Sequence, residues 1–277
     1  MKAALLQLNS GDDPSANLPG TMELVAKAAS DGAGFVLTPE VTNCVSASRA
    51  HQDTVLARQQ DDRTLSALRD QAADLGIWLL IGSLALKTDD PDGRFANRSF
   101  LIAPDGRIAA WYDKIHMFDV TVSETETYRE SAGYRPGTRA VVHQTEFATL
   151  GLTICYDVRF PGLYRQLAQA GAQVLTAPSA FSPLTGKAHW ETLLRARAIE
   201  TGSYVLAPAQ TGCHAARAGR QRETYGHAMA IGPWGDVLAD AGTDVGMIMI
   251  DLDMAEVAQA RERIPSLRSS NPYDGPR

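Results

Sequence analysis

The sequence predicts an α+β domain in which two mixed β-sheets pack face to face and helices cover the outside. Strand-like apolar segments alternate with amphipathic helical segments at both ends of the 277-residue chain, and hairpins lie between the two ends. No composition shift or linker divides the chain, so we expect one domain. Two packed sheets with outer helices would accommodate the roughly twelve predicted strands.

In the N-terminal half, strands are predicted where short apolar runs end at turn residues, and helices where apolar residues recur every three or four positions. Leu65, Leu68 and Ala72 show the helical spacing, and Gly76 marks the end of their helix. The sequence Pro-Asp-Gly at 104–106 predicts a tight turn between two hairpin strands. The predicted strands are residues 2–9, 34–38, 77–86, 96–103 and 107–112, and the predicted helices are residues 15–31 and 62–75.

The C-terminal half follows a long segment, residues 114–139, that is polar and has no periodicity. A loop of this length inside a domain is often functional. Beyond it, the same criteria predict strands at residues 149–155, 173–177, 203–208, 227–232, 236–239 and 246–251, and helices at 161–170, 188–201 and 254–263. Residues 211–225 are predicted to be irregular.

Charge and hydropathy exclude several functional classes. Lys and Arg number 26 against 32 Asp and Glu, which gives a net charge of −6 without a basic patch, so nucleic-acid binding is not expected. No apolar stretch approaches the roughly 18 residues of a membrane span. The apolar run at the N-terminus is too short for a signal peptide. We therefore expect a cytoplasmic protein that binds neither nucleic acid nor membrane.

The cysteines and histidines do not predict a metal site. Cys44, Cys155 and Cys213 have neither the number nor the spacing of a disulfide framework or a zinc site. The six histidines show no metal-ligand spacing, and no glycine-rich nucleotide motif is present. We therefore expect no metal and no organic cofactor. Each cysteine is either a small buried apolar residue or a reactive thiol.

Three side chains capable of chemistry each follow the end of a predicted strand. Cys155 ends the strand GLTIC, and a nucleophile at such a strand-to-helix turn lies where backbone N–H groups can face an oxyanion. Glu40 ends the segment GFVLTPE, where partial desolvation is expected to raise its pKa and suit it to proton transfer. Lys114 ends WYDK, where an ammonium can stabilise an oxyanion. Taken singly, a structural cysteine, a solvated glutamate and a surface lysine stay open as alternatives.

Together with the segments around them, these residues resemble the nitrilase superfamily of carbon–nitrogen hydrolases. The resemblance extends from residue 2 to about residue 265 in seven ordered blocks: TPE (Thr38–Glu40), YDKIHMFD (Tyr112–Asp119), CYDVRFP (Cys155–Pro161), PSAF (Pro178–Phe181), HWETLLRARAIET (His189–Thr201), YGHAM (Tyr225–Met229) and PWG (Pro233–Gly235). It implies a four-layer α-β-β-α sandwich. It also implies a single carbon–nitrogen hydrolase domain over residues 1–265 and an extended C-terminal tail over residues 266–277.

The resemblance assigns a role to each of the three residues. Cys155 would be the nucleophile, Glu40 the general base, and Lys114 the ammonium that stabilises the oxyanion. The backbone N–H of Tyr156 would be a second oxyanion donor. Gly162 stands where relatives commonly have Glu, a departure that affects none of these residues.

A second active-site glutamate precedes a Pro-Gly in this family. Glu130, in the segment ESAGYRPG, fits that position, whereas its neighbours Glu124 and Glu126 fit it less well. The expected role of Glu130 is to orient Lys114 or the substrate.

The expected activity is hydrolysis of an amide through a thioester on Cys155. The blocks CYDVRFP, PSAF and ARAIET resemble the Nit branch most closely, whose substrates are amides of a 2-oxo dicarboxylic acid such as deaminated glutathione. A guanidinium can bind such a substrate's carboxylate with two hydrogen bonds, and Arg159 is the best-placed candidate. A structural ion pair between Arg159 and Asp157 is the alternative.

Two other functions stay open. The first is hydrolysis of an N-carbamoyl amine or an aliphatic amide, and release of carbon dioxide would mark the carbamoyl substrate. The second is a catalytically silent binding protein, which slow labelling of Cys155 relative to Cys44 and Cys213 would favour. Besides a small-molecule amide, the expected partner is a second copy of the chain, because relatives pair through outer helices and two-fold homodimers are the commonest oligomers. A larger homo-oligomer is the alternative.

Overall fold

A computed structural model of the chain describes residues 1–122, 124, 126–269 and 274–275. The α-helices of this part are α1 (Pro14–Ser30), α2 (Arg49–Val55), α3 (Arg63–Leu75), α4 (Pro161–Gln169), α5 (Pro183–Thr201) and α6 (Met254–Arg263). Its strands are β1 (Lys2–Leu8), β2 (Phe35–Leu37), β3 (Trp78–Leu86), β4 (Ala96–Ile102), β5 (Ile108–Asp113), β6 (Asp119–Thr121), β7 (Thr127–Arg129), β8 (Val141–Gln144), β9 (Thr149–Leu152), β10 (Val174–Thr176), β11 (Tyr204–Ala207), β12 (Ala209–Cys213), β13 (Glu223–Tyr225), β14 (Met229–Ile231), β15 (Val237–Asp240) and β16 (Gly246–Asp251). None of these helices is long and apolar enough to cross a membrane.

The strands form two large mixed sheets and one small ribbon. The first sheet has the order β13-β12-β1-β2-β3-β4-β5, with β16 also paired to β1, and the second has the order β15-β14-β11-β10-β9-β8. Strands β1, β2 and β3 are parallel, as are β9, β10 and β11, whereas the outer pairs β4–β5 and β14–β15 are antiparallel. The ribbon pairs β6 with β7. The predicted mixed sheets are therefore confirmed.

Alternating side chains on β1 show how the layers stack. Leu5 lies in the apolar cluster that also contains Leu152 of the second sheet. Its neighbour Leu6 points to the other face and packs in the cluster that holds Val25 of α1 and Leu68 of α3. Helices α4 and α5 cover the outer face of the second sheet. Because successive residues of a strand face opposite sides, one apolar run serves both layers. The predicted four-layer α-β-β-α sandwich is confirmed.

Local chemistry fixes the ends of several elements as the sequence predicts. The Asp62 side chain accepts a hydrogen bond from the backbone N–H of Leu65 at 2.8 Å and begins α3. Gly76 ends it with φ 64°, in the left-handed region that glycine adopts without strain. The turn at 104–106 places Gly106 at φ 78° between β4 and β5.

Other boundaries differ from the sequence prediction. The strand predicted at 149–155 ends at Leu152, and residues 155–159 form a 3₁₀ turn. Helix α5 begins at Pro183 rather than at 188, because a proline is well tolerated in the first helical turn. The segment 114–139 contains the β6–β7 ribbon, and the region 211–225 contains parts of β12 and all of β13. All of these strands are short and polar. Of the four, β12 pairs with a strand that is distant in sequence, because its Ala209 lies opposite Gln7 of β1.

The boundary at residue 265 between the domain and its tail stays a prediction. The first tail residues lie against α4, where Arg165 Nη2 donates to the carbonyl of Ser266 at 3.2 Å and Gln169 Nε2 to that of Leu267 at 3.1 Å. Residues 270–273 and 276–277 of the predicted tail lie outside the described residues.

Candidate active site

Glu40 lies in a tight turn that follows β2. The next residue, Val41, has φ 46°, and its N–H donates to Ser83 Oγ at 2.8 Å. The turn packs directly against β3 at Gly82, where an added Cβ atom would lie 2.0 Å from the carbonyl oxygen of Thr38. Only glycine permits this approach, which holds the Glu40 turn against the first sheet.

Lys114 follows β5 and is 2% exposed. Its backbone N–H donates to the carbonyl of Asn97 at 3.0 Å, so β4 sets its position. Its Nζ donates to Oε1 of Glu40 at 2.8 Å and to Oε1 of Glu130 at 2.9 Å. We call Glu40, Lys114 and Glu130 the carboxylate–lysine group.

Glu130 is the carboxylate that the structure places beside Lys114. The backbone N–H of Phe118 donates to its Oε2 at 2.6 Å, and Asn97 Nδ2 lies 3.3 Å from its Oε1. The alternative Glu126 instead accepts hydrogen bonds from Tyr128 and Ser182. The 3₁₀ turn that begins at Glu130 and the ribbon before it therefore bring this side chain to the site.

Cys155 begins the 3₁₀ turn between β9 and α4 and has φ 48°. A non-glycine residue in this region is uncommon, and such strain occurs most often at functional sites. Its backbone N–H donates to the carbonyl of Pro178 at 3.0 Å. Asp157 stabilises the turn, because its Oδ2 accepts the N–H of Ile154 at 2.9 Å. The thiol is thus presented at the sheet edge, as the sequence predicts.

The charges of these groups depend on one another. Burial favours a higher pKa for Glu40, but the charge of Lys114 and hydrogen bonds from Lys114 and Asn97 outweigh burial and hold the pKa below its usual range. The expectation of a raised pKa is therefore wrong, because the sequence does not show that the ammonium lies in contact. Burial likewise opposes the charge of Lys114, yet Glu130 and Glu40 hold its pKa well above its usual range.

Burial, followed by the charge of Glu40, raises the pKa of the Cys155 thiol. The resting site therefore contains a neutral thiol beside an ionised carboxylate and an ionised ammonium. A neutral thiol is a weak nucleophile unless an adjacent base takes its proton, and the Glu40 carboxylate is such a base.

These residues line a single cavity of about 530 Å³. Glu40, Lys114, Glu130, Cys155 and Tyr156 all contribute to its wall. The backbone of Tyr156 lies in the first part of the 3₁₀ turn, where N–H groups have no partner within the turn itself.

Arg159 is not among the residues that line this cavity. Its Cζ lies 5.4 Å from the ring centroid of Phe181 and 5.9 Å from that of Tyr156, two rings that do line it. Its Nη2 lies 3.2 Å from Nδ1 of His189. The carboxylate of Asp157 takes its hydrogen bonds from other donors. The substrate-binding role of Arg159 stays a prediction.

Three contributors to the site were not identified from the sequence. Asn97 Nδ2 donates to Oε1 of Glu40 at 2.9 Å, and the backbone N–H of Ala180 donates to Oε2 at 2.8 Å. Arg222, which directly precedes β13 in the segment predicted to be irregular, also lines the cavity. Asn97 carried one signal, since an amide inside an apolar strand needs a buried partner. A backbone donor such as Ala180 carries no side-chain signal.

The carbon–nitrogen hydrolase family matches residues 2–262. The chain belongs to this family. It is 42% identical over 270 residues to deaminated glutathione amidase of Synechocystis sp., with 96% of each chain covered. A second relative, deaminated glutathione amidase of Yersinia enterocolitica, is 38% identical over 267 residues, which cover 96% of this chain and 91% of that protein.

Solved structures of carbon–nitrogen hydrolases have a similar fold. A Saccharomyces cerevisiae member of branch 10 of the nitrilase superfamily aligns with a TM-score of 0.82 at 27% identity, covering 96% of this chain and 94% of that chain. A mutant amidase of Nesterenkonia sp. AN1, which shows Michael addition of acrylamide at its active-site cysteine, aligns with a TM-score of 0.77 at 26% identity, covering 96% and 98%. This carbon–nitrogen hydrolase is an enzyme that acts on amides, as the sequence predicts.

Proposed function

We propose that this carbon–nitrogen hydrolase cleaves its amide through a thioester on Cys155, with Glu40 as the general base. The observation that carries the proposal is the contact of one ammonium, Lys114 Nζ, with both Glu40 and Glu130 in the cavity that contains the thiol. A base, a nucleophile and a fixed cation then lie within one cavity.

The proposed reaction has two halves. The Cys155 thiol gives its proton to Glu40 as sulfur bonds to the amide carbon, and the oxyanion is stabilised by Lys114 and the Tyr156 N–H. The intermediate collapses, the C–N bond breaks, and Glu40 returns the proton to the departing nitrogen. Water then attacks the thioester and gives a proton to Glu40, which passes it to the sulfur as the carboxylic acid leaves.

Glu130 is the proposed positioning residue for Lys114. It accepts from Lys114 at one oxygen and from the Phe118 N–H at the other, so its carboxylate is fixed on both sides. A second carboxylate also keeps the ammonium protonated when Glu40 takes up a proton during the reaction.

The proposed substrate is an amide of a 2-oxo dicarboxylic acid, such as deaminated glutathione. Two relatives with 42% and 38% identity carry that activity in their names. The cavity wall also includes Arg129, Arg220 and Arg222, which suits an anionic substrate. Arg159 stays the proposed partner of the carboxylate next to the 2-oxo group. An N-carbamoyl amine or aliphatic amide is the alternative.

The test compares kcat/KM for deaminated glutathione, 2-oxoglutaramate, an N-carbamoyl amine and butyramide on one preparation. Butyramide offers no carboxylate to the proposed cationic partner, so we expect the oxo-acid amides to be hydrolysed at least about 10²-fold faster than butyramide. Arg159→Lys should reduce that preference, because an ammonium lacks the planar two-donor geometry of a guanidinium. If butyramide or the carbamoyl amine equals both oxo-acid amides, the proposed substrate class is wrong.

We further propose a cytoplasmic homodimer. Two large apolar side chains are exposed on one part of the surface: Ile199 on α5 is 52% exposed, and Trp234 in the turn before β15 is 51% exposed. A second copy of the chain would cover them. Helix α4 and residues 188–201 of α5 are the expected contact helices. Sedimentation at micromolar concentration should give twice the 29.8 kDa chain mass, and a fully active monomer would contradict the dimer. Cell fractionation tests the location.

A further inference from the structure

Two arginines in the outer cavity wall have no part in the proposed mechanism. Arg222 and Arg220 both line the cavity, with Arg222 half-buried and Arg220 exposed. The Nε atom of Arg222 is buried and has no hydrogen-bond partner within the described residues. A buried charged donor without an acceptor is unfavourable, so an acceptor supplied by a ligand is expected at this place.

The backbone that carries these arginines is well anchored. Strands β12 and β13 pair antiparallel, and the N–H of His214 donates to the carbonyl of Arg222 at 2.9 Å. In the intervening loop, Asp12 Oδ2 accepts the N–H groups of Arg217 at 2.7 Å and Ala218 at 3.2 Å. The backbone that carries the two guanidinium groups is therefore fixed, and little ordering of the backbone is required when a ligand binds.

Charge is distributed unevenly along the cavity. The carboxylate–lysine group near Cys155 contains one cation and two carboxylates, whereas the outer wall contributes Arg129, Arg220 and Arg222. The carboxylate of Glu126 accepts hydrogen bonds from Tyr128 and Ser182 of the same wall, and the three arginines outweigh it. The chain as a whole has a net charge of −6, so this excess of positive charge is a local feature. A cavity with this distribution attracts an anion to its outer part.

The order of the reaction indicates which half of the substrate lies there. The acyl half stays bonded to Cys155 after the first step, while the amine half has to leave through the open side of the cavity. Arg220 is exposed to solvent, and its Cζ lies 6.0 Å from the ring centroid of Tyr128 on the β6–β7 ribbon, so it belongs to that open side. Arg222 lies on the same hairpin two residues further along the chain.

We infer that Arg222, assisted by Arg220, binds a carboxylate carried by the amine half of the substrate. This inference rests on the proposed function and adds to it that amides of amino acids or short peptides are favoured over primary amides. In deaminated glutathione the amine half is the dipeptide cysteinylglycine, whose C-terminal carboxylate would meet these arginines. In 2-oxoglutaramate the amine half is ammonia, and the arginines would have no partner.

The test measures kcat/KM for deaminated glutathione and for 2-oxoglutaramate in the wild type and in variants. The measured quantity is kcat/KM for deaminated glutathione divided by kcat/KM for 2-oxoglutaramate. We expect Arg222→Gln to lower this ratio about 10- to 100-fold, because charge-assisted hydrogen bonds are lost for deaminated glutathione only. Arg222→Lys should lower it less, and Arg220→Gln only a few-fold, since an exposed pair is weak. Arg217→Gln is the matched control, because Arg217 is on the same loop but pairs with Asp13.

Several outcomes would overturn the inference. If the ratio is unchanged in Arg222→Gln, or if kcat/KM falls equally for both substrates, Arg222 does not bind the amine half. A wild type that hydrolyses neither substrate would refute the proposed function instead. In that case calorimetry of cysteinylglycine binding to Cys155→Ala gives a readout without turnover. Adding Arg222→Gln to that variant should weaken the dipeptide Kd by the same factor, and an unchanged Kd would overturn the inference.

Discussion

The phenolic hydroxyl of Tyr112 donates a hydrogen bond to Oδ2 of Asp157 at 2.7 Å, across the interface of the two sheets. Tyr112 is on β5, two residues before Lys114, and Asp157 is two residues after Cys155. The same hydroxyl accepts the N–H of Ile115 at 3.2 Å. This one bond therefore fixes the backbone that carries the proposed oxyanion ammonium relative to the turn that carries the thiol.

We predict that Tyr112→Phe lowers kcat while KM changes little. The change removes a buried donor to Asp157 and the acceptor of the Ile115 N–H, which should also cost about 1–3 kcal/mol of unfolding free energy. Tyr204→Phe is the control, because its hydroxyl lies at 3.3 Å from the carbonyl of Asp253, remote from the cavity. Urea denaturation and steady-state kinetics check both. If the two variants lose kcat equally, the Tyr112 effect is merely structural.

We predict that Cys155→Ala abolishes turnover and leaves the fold intact. The side chain lies at the end of an element and lines the cavity, so its sulfur can be removed without disturbing a helix or strand. Activity and far-ultraviolet circular dichroism check the two parts. Retention of even one tenth of the activity would contradict a covalent mechanism. Cys213→Ala, at an exposed thiol, is the control and should keep full activity.

Glu40→Gln and Lys114→Ala should each lower kcat by about 10²–10⁴-fold, the range expected for a general base or an oxyanion donor. Neither loss should add to that of Cys155→Ala, because the three groups act in one step. Lys114→Ala should also destabilise the fold by about 3–5 kcal/mol, since it leaves buried carboxylates unpaired. Lys27→Ala, which breaks an exposed pair with Asp31, is the control. Losses below tenfold would mean that the roles are misassigned.

Gly82→Ala should impair both folding and catalysis. The new Cβ would lie 2.0 Å from the carbonyl oxygen of Thr38 and 2.6 Å from that of Pro39, so the turn carrying Glu40 has to move. Gly20→Ala is the control, because no atom lies within 4 Å of its Cβ position on α1. There the change should raise the free energy of unfolding by about 0.5–1 kcal/mol. Thermal unfolding and kcat measure the outcome, and an unaffected Gly82→Ala would refute the close approach.

The stability of the protein should fall in mild acid because of His214. Burial lowers the pKa of this histidine to about 4, and its Nδ1 bonds the carbonyl of Ser10 at 2.8 Å. The unfolded chain binds the proton near pH 6.5, so between pH 6.5 and 4 it holds more protons than the folded chain. Stability contributed by neutral His214 is therefore full above pH 6.5 and decreases as the pH falls towards 4.

Urea denaturation of the wild type and of His214→Gln at pH 7 and pH 5 checks this sign. Between pH 7 and pH 5, the unfolding free energy of the wild type should fall by about 2 kcal/mol more than that of the variant. The reason is that each pH unit between the unfolded and folded pKa values of one histidine changes the unfolding free energy by about 1.4 kcal/mol. An identical loss in both proteins would show that His214 does not titrate as described.

Much of the fold followed from local sequence signals. Strands such as β3, which is buried along its whole length, and helices such as α3, with its Asp62 start and Gly76 end, have periodicity and end residues that act within a few positions. Strands β12 and β13 were not predicted because β12 pairs with β1, about 200 residues away in sequence, and β13 is in turn added to the edge of β12.

The candidate site also has a part that the sequence predicted and a part that it did not. Glu40, Lys114 and Cys155 each end an apolar segment, and that pattern together with the family resemblance was enough to select them. What the sequence could not give was their mutual distance, and with it the lowered pKa of Glu40. Asn97 and the N–H of Ala180 act through contacts made only in the folded chain.

The left-handed backbone at Cys155 means that selection for stability and selection for activity favour different residues at this position. A non-glycine residue at φ 48° is held there by the rest of the fold at a cost of order 1–3 kcal/mol. Selection for abundance alone would tolerate or favour glycine at this position, whereas selection for the proposed thioester chemistry retains cysteine. Lineages that cease to need the reaction should therefore lose Cys155 before they lose buried residues of the sandwich such as Leu5 or Leu152, and the order of loss would record when activity stopped being useful.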